Sequence, residues 1–380
     1  MRRTPRIGAV IDALPSYRGA ERVLASALEM FPEAEIHTLI YEPGSFAGTR
    51  ITQHPVHTSF VQRLPGGRVH YRSLLPLLPL AIGRLDLRDC DIVLSFSYAV
   101  AHGVRCRPNQ LHISYTFAPL RYAWQDAGQY FQEGLAGPPA RLMMGLFRAW
   151  DRRAVRRVNH FTAISEWTAA CIRRAYQREA EVIFPPVETE QFRPEGRRGD
   201  YFVAFSRLVR QKRLELIVEA FTRLGLPLLV IGEGPERKKL ESLAGPNVRL
   251  LGARTGEEAA SFLGKARALV HAAEEDFGLV MAEAQAAGRP VIAYRGGAAP
   301  EIIQDDKTGL LFEERTVESL TRAVRCFVER ESSFDEADCV SNAQRFSKRR
   351  FQTAFCEMVE REWCAFEDNR RRVSGSQFSM

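Results

Sequence analysis

Short apolar runs alternate with amphipathic helical patterns along most of the 380-residue sequence. The run Arg6–Ile11 is followed by a polar turn and by the helical spacing of GAERVLASALEMF. Further strand-like runs in the first half are Asp91–Ser97, Leu111–Phe117 and His160–Ser165. Strands that alternate with helices at this spacing favour parallel sheets with helices on both faces. The sequence therefore predicts an α/β protein.

The same alternation resumes after the polar stretch Arg193–Asp200, which we interpret as a linker. A chain of this length is expected to form about two domains, at roughly 150 residues each. We predict two doubly wound, Rossmann-like domains, 1–190 and 191–345, that face a cleft. Residues 346–380 are expected to form a helix that returns towards the first domain and ends in a disordered tail. Ligands of such sheets bind at the carboxyl ends of the strands.

Composition excludes several other classes of protein. Hydrophobic residues make up 45% of the sequence, charged residues 26%, and the mean hydropathy is −0.22, as in ordinary globular chains. No apolar signal segment precedes Asp12, and the longest apolar run, Leu74–Ile82, contains two prolines. The seven cysteines form no CxxC pair, which disfavours a disulfide framework or a cysteine-rich zinc site. These features predict a cytoplasmic protein.

The positive charge lies in the first half of the chain. Residues 1–187 contain 23 arginines, no lysine and 15 acidic residues, whereas the remainder is nearly neutral. Such a field favours an anionic substrate or surface. Because no nucleic-acid motif is present, we expect no nucleic-acid partner. Residues 141–157 interleave arginines with bulky apolar residues. This pattern suits either a helix on an anionic membrane surface or an ordinary amphipathic helix with a basic face.

The most informative segment is EEDFGLVMAEAQAAGRPVIAY, residues 274–294. If a helix begins after Gly278, the amides of Phe277, Gly278 and Leu279 lie at its N-terminus, which attracts phosphate. Glu275 then precedes the helix and can accept hydrogen bonds from sugar hydroxyls. Glu283, two turns further on, suits the two vicinal hydroxyls of a ribose. A capped, solvated helix start is the alternative interpretation of the same residues.

Two shorter motifs precede this segment. SRLVRQK places Arg207 and Lys212 where fixed cations could stabilise the charge of a departing diphosphate. In VIGEGPE, Gly232 allows the backbone to approach a ligand closely. Each motif taken alone is also explained by chance spacing or by a plain turn.

Together these motifs resemble the E-x7-E signature of retaining family-4 glycosyltransferases of the GT-B fold, in the mannosyl- and rhamnosyltransferase branch. RGGAAPEII (295–303) and the crossover around residues 162–188 agree in register, so the resemblance covers about Arg6 to Cys364. It implies transfer of a hexose from a GDP-sugar, GDP-mannose first, to a glycan or lipid-linked glycan. It also implies that the transfer needs neither a metal nor another cofactor. The residues that it implies are Arg207, Lys212 and Glu275 for catalysis and Gly19, Gly232, Phe277, Gly278, Leu279 and Glu283 for donor binding.

The first half departs from the family pattern at two places. In PSYRGAERVL, Arg18 stands where the family has a glycine, and Gly19 is retained. In HISYTFAPLRYAWQ, Phe117 stands where the family has a histidine, and Gln125 where it has an aspartate. Phenylalanine can neither hydrogen-bond nor carry a proton. A sugar-nucleotide-binding subunit that has lost turnover is therefore one alternative. A UDP-sugar-dependent transferase of the same fold is a second alternative, because the sequence does not show which base the donor carries.

If the basic helix binds lipid, the protein is peripheral on the cytoplasmic face of a membrane and its acceptor is lipid-linked. His102 and His112 are close in sequence to Phe117, and for both a structural or surface role is the stronger expectation.

Overall fold

A computed structural model describes residues 4–124, 138–196 and 198–376 of the chain. The chain divides into two compact units: one contains residues 1–184 and 351–380, and the other contains residues 185–350. Each unit is built on its own parallel β-sheet.

The first sheet has strand order β3-β2-β1-β4-β5-β6-β7 among the described residues. Its strands are β1 Ile7–Ile11, β2 Glu35–Thr38, β3 Val56–Thr58, β4 Ile92–Ser97, β5 Leu111–Thr116, β6 His160–Ala163 and β7 Glu181–Val182. The central strands β4 and β5 are buried along their whole length. Helices cover both faces of a parallel sheet, so such strands are shielded from solvent on both sides.

The helices of this unit differ widely in length. They are α1 Gly19–Leu28, α2 Gly67–His70, α3 Leu78–Ile82, α4 Arg121–Trp124, α5 Pro138–Ala154, α6 Glu166–Tyr176 and, at the end of the chain, Lys348–Ser376. The last of these is α14, and most of it belongs to the first unit although it follows the second in sequence.

The second sheet has strand order β10-β9-β8-β11-β12-β13. Its strands are β8 Phe202–Phe205, β9 Leu228–Ile231, β10 Val248–Gly252, β11 Leu269–His271, β12 Val291–Tyr294 and β13 Gly309–Phe312. Its helices are α7 Leu214–Leu224, α8 Arg237–Leu243, α9 Gly256–Gly264, α10 Leu279–Ala286, α11 Ala299–Ile302, α12 Val317–Glu329 and α13 Glu336–Ala343.

Counted within each unit, both sheets contain the order 3-2-1-4-5-6 of a doubly wound fold, and the prediction of two Rossmann-like units is confirmed. The strand order reverses between β1 and β4 in the first sheet and between β8 and β11 in the second. Ligands of open parallel sheets bind outside the carboxyl ends of the strands at such a reversal. Candidate ligand-binding sites are therefore expected at these two reversals.

The described residues of the polar stretch 193–200, which the sequence suggested as a linker, are packed within the second unit. The Gly199 amide donates a 2.7 Å hydrogen bond to the Lys265 carbonyl, and the Glu195 carboxylate lies 3.2 Å from the Lys265 ammonium. The division between the units falls earlier, between Phe184 and Pro185. Polar composition alone did not distinguish a connecting segment from a surface loop.

The C-terminal helix α14 packs on the first sheet through aromatic side chains. Phe355 is fully buried and its ring lies 6.0 Å from Phe96 and 5.7 Å from Tyr115. The helix extends to Ser376, so the first part of the tail that we expected to be disordered is helical. Residues 377–380 lie outside the described residues.

Helix α5 exposes apolar residues to solvent. Leu142 and Leu146, one turn apart, are 68% and 64% exposed. In the part of the chain that the structure describes, none of the helices combines the length and apolar character that a bilayer span requires.

Candidate functional site

An ion pair lies at the strand-order reversal of the second sheet. Lys212 is in the loop after β8 and Glu275 is in the loop after β11. Because these strands are neighbours and parallel, their following loops meet at one edge of the sheet. There the Lys212 ammonium donates a hydrogen bond to Glu275 Oε1. The structure thus brings together two of the three residues for which the sequence predicts catalytic roles.

The Glu275 carboxylate is strongly stabilised in its charged form. Burial raises the pKa of this group, but Lys212 and His271 together outweigh that effect and hold the pKa of Glu275 well below its usual range. His271 Nε2 lies 3.3 Å from Glu275 Oε1. A carboxylate placed in this way carries a full negative charge near neutral pH and accepts hydrogen bonds.

Sequence analysis did not identify His271. It is the last residue of β11 and lies inside the apolar run 267–273, a pattern that by itself predicts only a buried strand. A polar residue that ends a buried strand beside the order reversal is the signal that could have identified it.

The backbone of Glu275 is fixed by the loop after β12. The Glu275 carbonyl accepts a 2.9 Å hydrogen bond from the Ala298 amide. Gly297 has φ of 62°, and a Cβ atom there would lie 2.2 Å from the same carbonyl oxygen. Only glycine combines this conformation with this close approach. Gly297 therefore sets the position of Glu275.

Helix α10 begins directly after this acid. Gly278 precedes the helix with φ of 91°, and Leu279 is its first residue. The Phe277 ring is buried and lies 5.4 Å from the Phe346 ring, which anchors the turn. The first amides of a helix have no acceptor within it, so this turn presents donors beside Glu275. The predicted placement of Phe277, Gly278 and Leu279 at a helix start is thus observed.

Glu283 lies within α10 and only 4% of its surface is exposed. It lies about one turn after the first helical residue, Leu279, and eight residues after Glu275. Burial of a carboxylate is costly unless hydrogen-bond donors or cations face it.

Arg207 and Gly232 occupy adjoining turns. Gly232 follows β9 with φ of 137°, and a Cβ atom there would lie 1.8 Å from the Ser206 carbonyl oxygen. The Ser206 amide in turn donates a 3.1 Å hydrogen bond to the Ile231 carbonyl. Gly232 therefore allows the turn after β9 to pack against the loop that carries Arg207. Arg207 itself is solvent-exposed.

The strand-order reversal of the first sheet is organised differently. Asp12 follows β1, and its buried carboxylate accepts four backbone amides, those of residues 98 to 101, at 2.5 to 3.0 Å. Gly19 opens α1 in this unit, and Arg18 before it donates its amide to the Glu21 carboxylate at 3.0 Å. Sequence analysis did not identify Asp12, because its four partners come from a loop that is distant in sequence.

Phe117 lies just after β5, at the carboxyl edge of the first sheet. Its ring lies 6.4 Å from the Tyr98 ring and 5.5 Å from the Tyr115 ring. Its amide donates a 2.8 Å hydrogen bond to the Ser97 carbonyl. The position that holds a histidine in the family pattern is thus part of an aromatic cluster here. Gln125 lies outside the described residues.

The two histidines near Phe117 in sequence are buried in the first unit. His102 lies between Ser97 Oγ, at 2.8 Å, and Asp151 Oδ1, at 2.6 Å. His112 Nε2 lies 2.9 Å from Ser95 Oγ, and burial lowers the pKa of His112 to about 3. Both side chains are structural groups of the interior.

Two protein-family models together match most of the chain. Residues 17–191 match the model described as Glycosyltransferase Family 4, and residues 187–346 match the model described as Glycosyl transferases group 1. This chain is a family-4 glycosyltransferase of the GT-B fold. The family resemblance predicted from the sequence motifs is confirmed.

Curated relatives match parts of the chain at modest sequence identity. Over 214 residues, 48% of this chain and 56% of the relative, the chain is 29% identical to the GDP-mannose-dependent alpha-(1-6)-phosphatidylinositol monomannoside mannosyltransferase of Mycobacterium tuberculosis. Over 171 residues, 43% of this chain and 48% of the relative, it is 32% identical to an uncharacterised glycosyltransferase of Methanocaldococcus jannaschii. The chain thus spans about half the length of the curated relatives it matches.

Among solved structures, HepE of Anabaena in complex with UDP aligns with a TM-score of 0.70 and 15% identity. The alignment covers 93% of this chain and 99% of HepE. At this identity the likeness supports the fold of the family-4 glycosyltransferase and nothing finer.

Proposed function

We propose that the protein is a retaining, metal-independent hexosyltransferase that uses a GDP-sugar, with mannose or a related deoxyhexose as the transferred sugar. The acceptor is a glycan or a lipid-linked glycan. The observation that carries the proposal is the Lys212–Glu275 ion pair at the strand-order reversal of the second sheet. Doubly wound sheets bind nucleotides at this place.

Cations at this site would stabilise the leaving group. When the bond between the anomeric carbon and the phosphate oxygen breaks, the departing diphosphate gains negative charge. Lys212, together with Arg207 on the same loop, would stabilise that charge more than the charge of the intact donor. Two fixed side-chain cations would serve in place of a divalent metal.

Donor orientation would come from the acids and the turn before α10. Glu275, held ionised, would accept hydrogen bonds from the hydroxyls of the transferred sugar. Glu283 would bind the ribose hydroxyls, and the amides of residues 277–279 would bind the diphosphate. Gly232 would permit close approach of the backbone to the nucleotide.

The absence of a histidine at position 117 is compatible with front-face displacement. In that reaction the bond from the acceptor oxygen to the anomeric carbon forms on the face from which the diphosphate leaves. The acceptor proton then passes to a donor phosphate oxygen, and no side-chain base is required. We therefore propose that Phe117 reduces or alters the turnover without abolishing it.

A UDP-sugar donor is the second candidate. GDP is favoured because the mannosyltransferase relatives from Mycobacterium tuberculosis and Corynebacterium glutamicum carry GDP-mannose dependence in their names. UDP is the nucleotide bound in the HepE structure, which shares the fold, and it is therefore the second nucleotide to test. Calorimetric titration of the protein with GDP and with UDP separates the two.

The titration includes two arginine variants. We expect GDP to bind more tightly than UDP, and Arg207→Ala to weaken GDP binding about tenfold through loss of a charge-assisted contact. Arg210→Ala, which removes an exposed arginine of the same loop, serves as the matched control. If UDP binds more tightly than GDP, the proposed donor is wrong and a UDP-sugar takes its place. If Arg207→Ala and Arg210→Ala weaken GDP binding equally, Arg207 does not bind the donor diphosphate.

We also propose that the protein binds an anionic membrane surface. Among the large apolar side chains exposed in the described residues, Leu142 and Leu146 lie on helix α5, and Leu77 and Leu80 lie in the apolar run Leu74–Ile82. Exposed arginines, including Arg152 and Arg153, follow on the same helix α5. Apolar side chains beside cations suit the headgroup region of a bilayer.

Sedimentation with phosphatidylserine-containing vesicles at low salt tests membrane binding. The protein is expected to sediment with these vesicles, and the pair of substitutions Leu142→Glu and Leu146→Glu is expected to abolish this. Val328→Glu, at an exposed apolar residue of the second unit, is the control. No sedimentation, or an equal loss in the control, contradicts a membrane-binding role.

A further inference from the structure

Three metal-ligating side chains converge on one edge of the first sheet, in strands β2 and β3. Glu35 and His37 lie two residues apart on β2, so their side chains share a face of the sheet. His57 on β3 is the register partner of His37 in the parallel pair, and partners of this kind also share a face. The fold therefore places Glu35, His37 and His57 together by register.

The distances within this cluster are close to those of a metal site. His57 Nε2 lies 3.1 Å from Glu35 Oε2, and His37 Nε2 lies 3.9 Å from the same oxygen. All three ligand atoms lie within 4.8 Å of one another. Ligands about 2.1 Å from a tetrahedral ion are roughly 3.4 Å apart. The exposed Glu35 and His57 side chains need only small rotations to reach that spacing.

His37 supplies an independent observation. Its side chain is 3% exposed, and neither of its ring nitrogens has a hydrogen-bond partner in the part of the chain that the structure describes. Its ring stacks on the His57 ring at 4.8 Å. Buried polar atoms are nearly always satisfied by a partner, so an imidazole left in this state beside a second imidazole and a carboxylate indicates a missing ligand.

We propose that Glu35, His37 and His57 bind a divalent transition-metal ion of the Zn²⁺ type. Two imidazoles and one carboxylate form a donor set that suits Zn²⁺ better than Mg²⁺ or Ca²⁺, which prefer oxygen ligands. Three protein ligands leave a fourth position for water.

The proposed site has a structural consequence. β3 contains three residues and lies at the edge of the sheet. An ion held by two residues of β2 and one of β3 would fasten this short edge strand to its neighbour. The three ligands lie on β2 and β3 of the first unit, outside the strand-order reversal between β1 and β4, whereas Lys212 and Glu275 belong to the second unit. The proposal therefore does not depend on the sugar-nucleotide site.

Zinc titration of the tag-free, chelator-treated full-length protein at pH 7.5, followed by calorimetry, tests the proposal. The wild-type chain is expected to bind one equivalent of Zn²⁺ and to unfold at a higher temperature when Zn²⁺ is present. His57→Asn and Glu35→Gln alter half-exposed side chains, so both variants are expected to fold. Each is expected to lose at least about tenfold in affinity, together with the thermal shift.

His160→Asn is the matched control. His160 lies on β6 of the same sheet beside two carboxylates, 3.2 Å from Glu181 and 3.5 Å from Glu362, but these face opposite ring nitrogens and do not converge. Its Zn²⁺ affinity is expected to equal that of the wild type. The proposal is overturned if the wild type binds no Zn²⁺, if His57→Asn binds as tightly as the wild type, or if His160→Asn loses as much.

Discussion

Glu275 is held in place through both its side chain and its backbone. Lys212 and His271 face its carboxylate, while the Ala298 amide donates to its carbonyl. In the proposed donor site this carboxylate would have to stay within a few tenths of an ångström of its partners, because hydrogen bonds weaken quickly outside their optimal geometry. Gly297, which has no side chain, therefore contributes to the position of Glu275 as much as the charged groups do.

Gly297→Ala tests this claim. The left-handed backbone costs an L-residue about 1 to 2 kcal/mol, and the close approach of Cβ to the Glu275 carbonyl adds about 1 to 3 kcal/mol of overpacking. We expect a lower free energy of unfolding in urea titration and a loss of sugar-nucleotide binding by calorimetry. Gly225→Ala is the control, because Gly225 has a similar φ of 70° but no atom within 4 Å of the added Cβ. Binding by Gly297→Ala that matches the control contradicts the assignment.

Strands β4 and β5 carry polar side chains that face each other in the interior of the first sheet. His112 and Ser95 form a hydrogen bond between these neighbouring strands, and His102 forms one with Ser97 at the end of β4. Burial lowers the pKa of His112, and the nearby His102 lowers it further. A buried imidazole that stays neutral resists protonation in the folded state. Stability of this element should therefore depend on pH.

His112 gives the sign of that dependence. Its pKa is about 3 in the folded state, against about 6.5 in the unfolded state, so only the unfolded chain binds the proton between these values. Stability is full above pH 6.5 and falls as the pH is lowered, by about 2 kcal/mol at pH 5. His112→Gln is expected to reduce the difference in free energy of unfolding between pH 7.5 and pH 5 by this amount, measured by urea denaturation.

The control for this experiment is His70→Gln, which replaces an exposed histidine of the same unit. It should show the pH dependence of the wild type. An unchanged pH dependence in His112→Gln would mean that this histidine is not the group that resists protonation.

At the scale of the whole molecule, the first unit is completed by the last helix of the chain. Phe351, Phe355 and Met358 of α14 are buried, and the Phe355 ring packs on Phe96 and Tyr115 of the central strands. The N-terminal residues alone would leave this apolar surface exposed to water.

Phe355→Ala is expected to lower the free energy of unfolding of the first unit by about 3 to 5 kcal/mol, as is typical of a large aromatic removed from a core. Phe366→Ala, in a half-buried position further along the same helix, should cost less. Urea titration followed by circular dichroism measures both. Equal losses would show that burial of α14 on the first sheet does not stabilise the unit.

The sequence predicted those features that depend on local pattern or on strand ends. Buried runs separated by helical patterns predicted two parallel sheets. The contact between Lys212 and Glu275 lies at the carboxyl ends of two neighbouring strands, where the sequence analysis expected ligands to bind. The sequence did not predict contacts that depend on the path of a loop or on the register of paired strands. The Asp12 carboxylate accepts hydrogen bonds from backbone amides about 90 residues away. The His57 ring contacts His37 only because the three-residue strand β3 pairs with β2 in this register. His271 was missed because it ends an apolar run.

The sugar-transfer activity of Glu275→Gln is the decisive measurement for the proposed role of the Lys212–Glu275 ion pair. The substitution keeps the shape of the side chain but removes the charge that Lys212 and His271 face. With GDP-mannose as donor, we expect Glu275→Gln to lose at least about 99% of transfer and donor hydrolysis, as is typical when a transition-state contact is removed, and to keep a nearly unchanged affinity for GDP. Glu274→Gln, at the adjacent exposed acid, should retain wild-type activity. Wild-type activity in Glu275→Gln, or equal losses in both variants, would contradict the account.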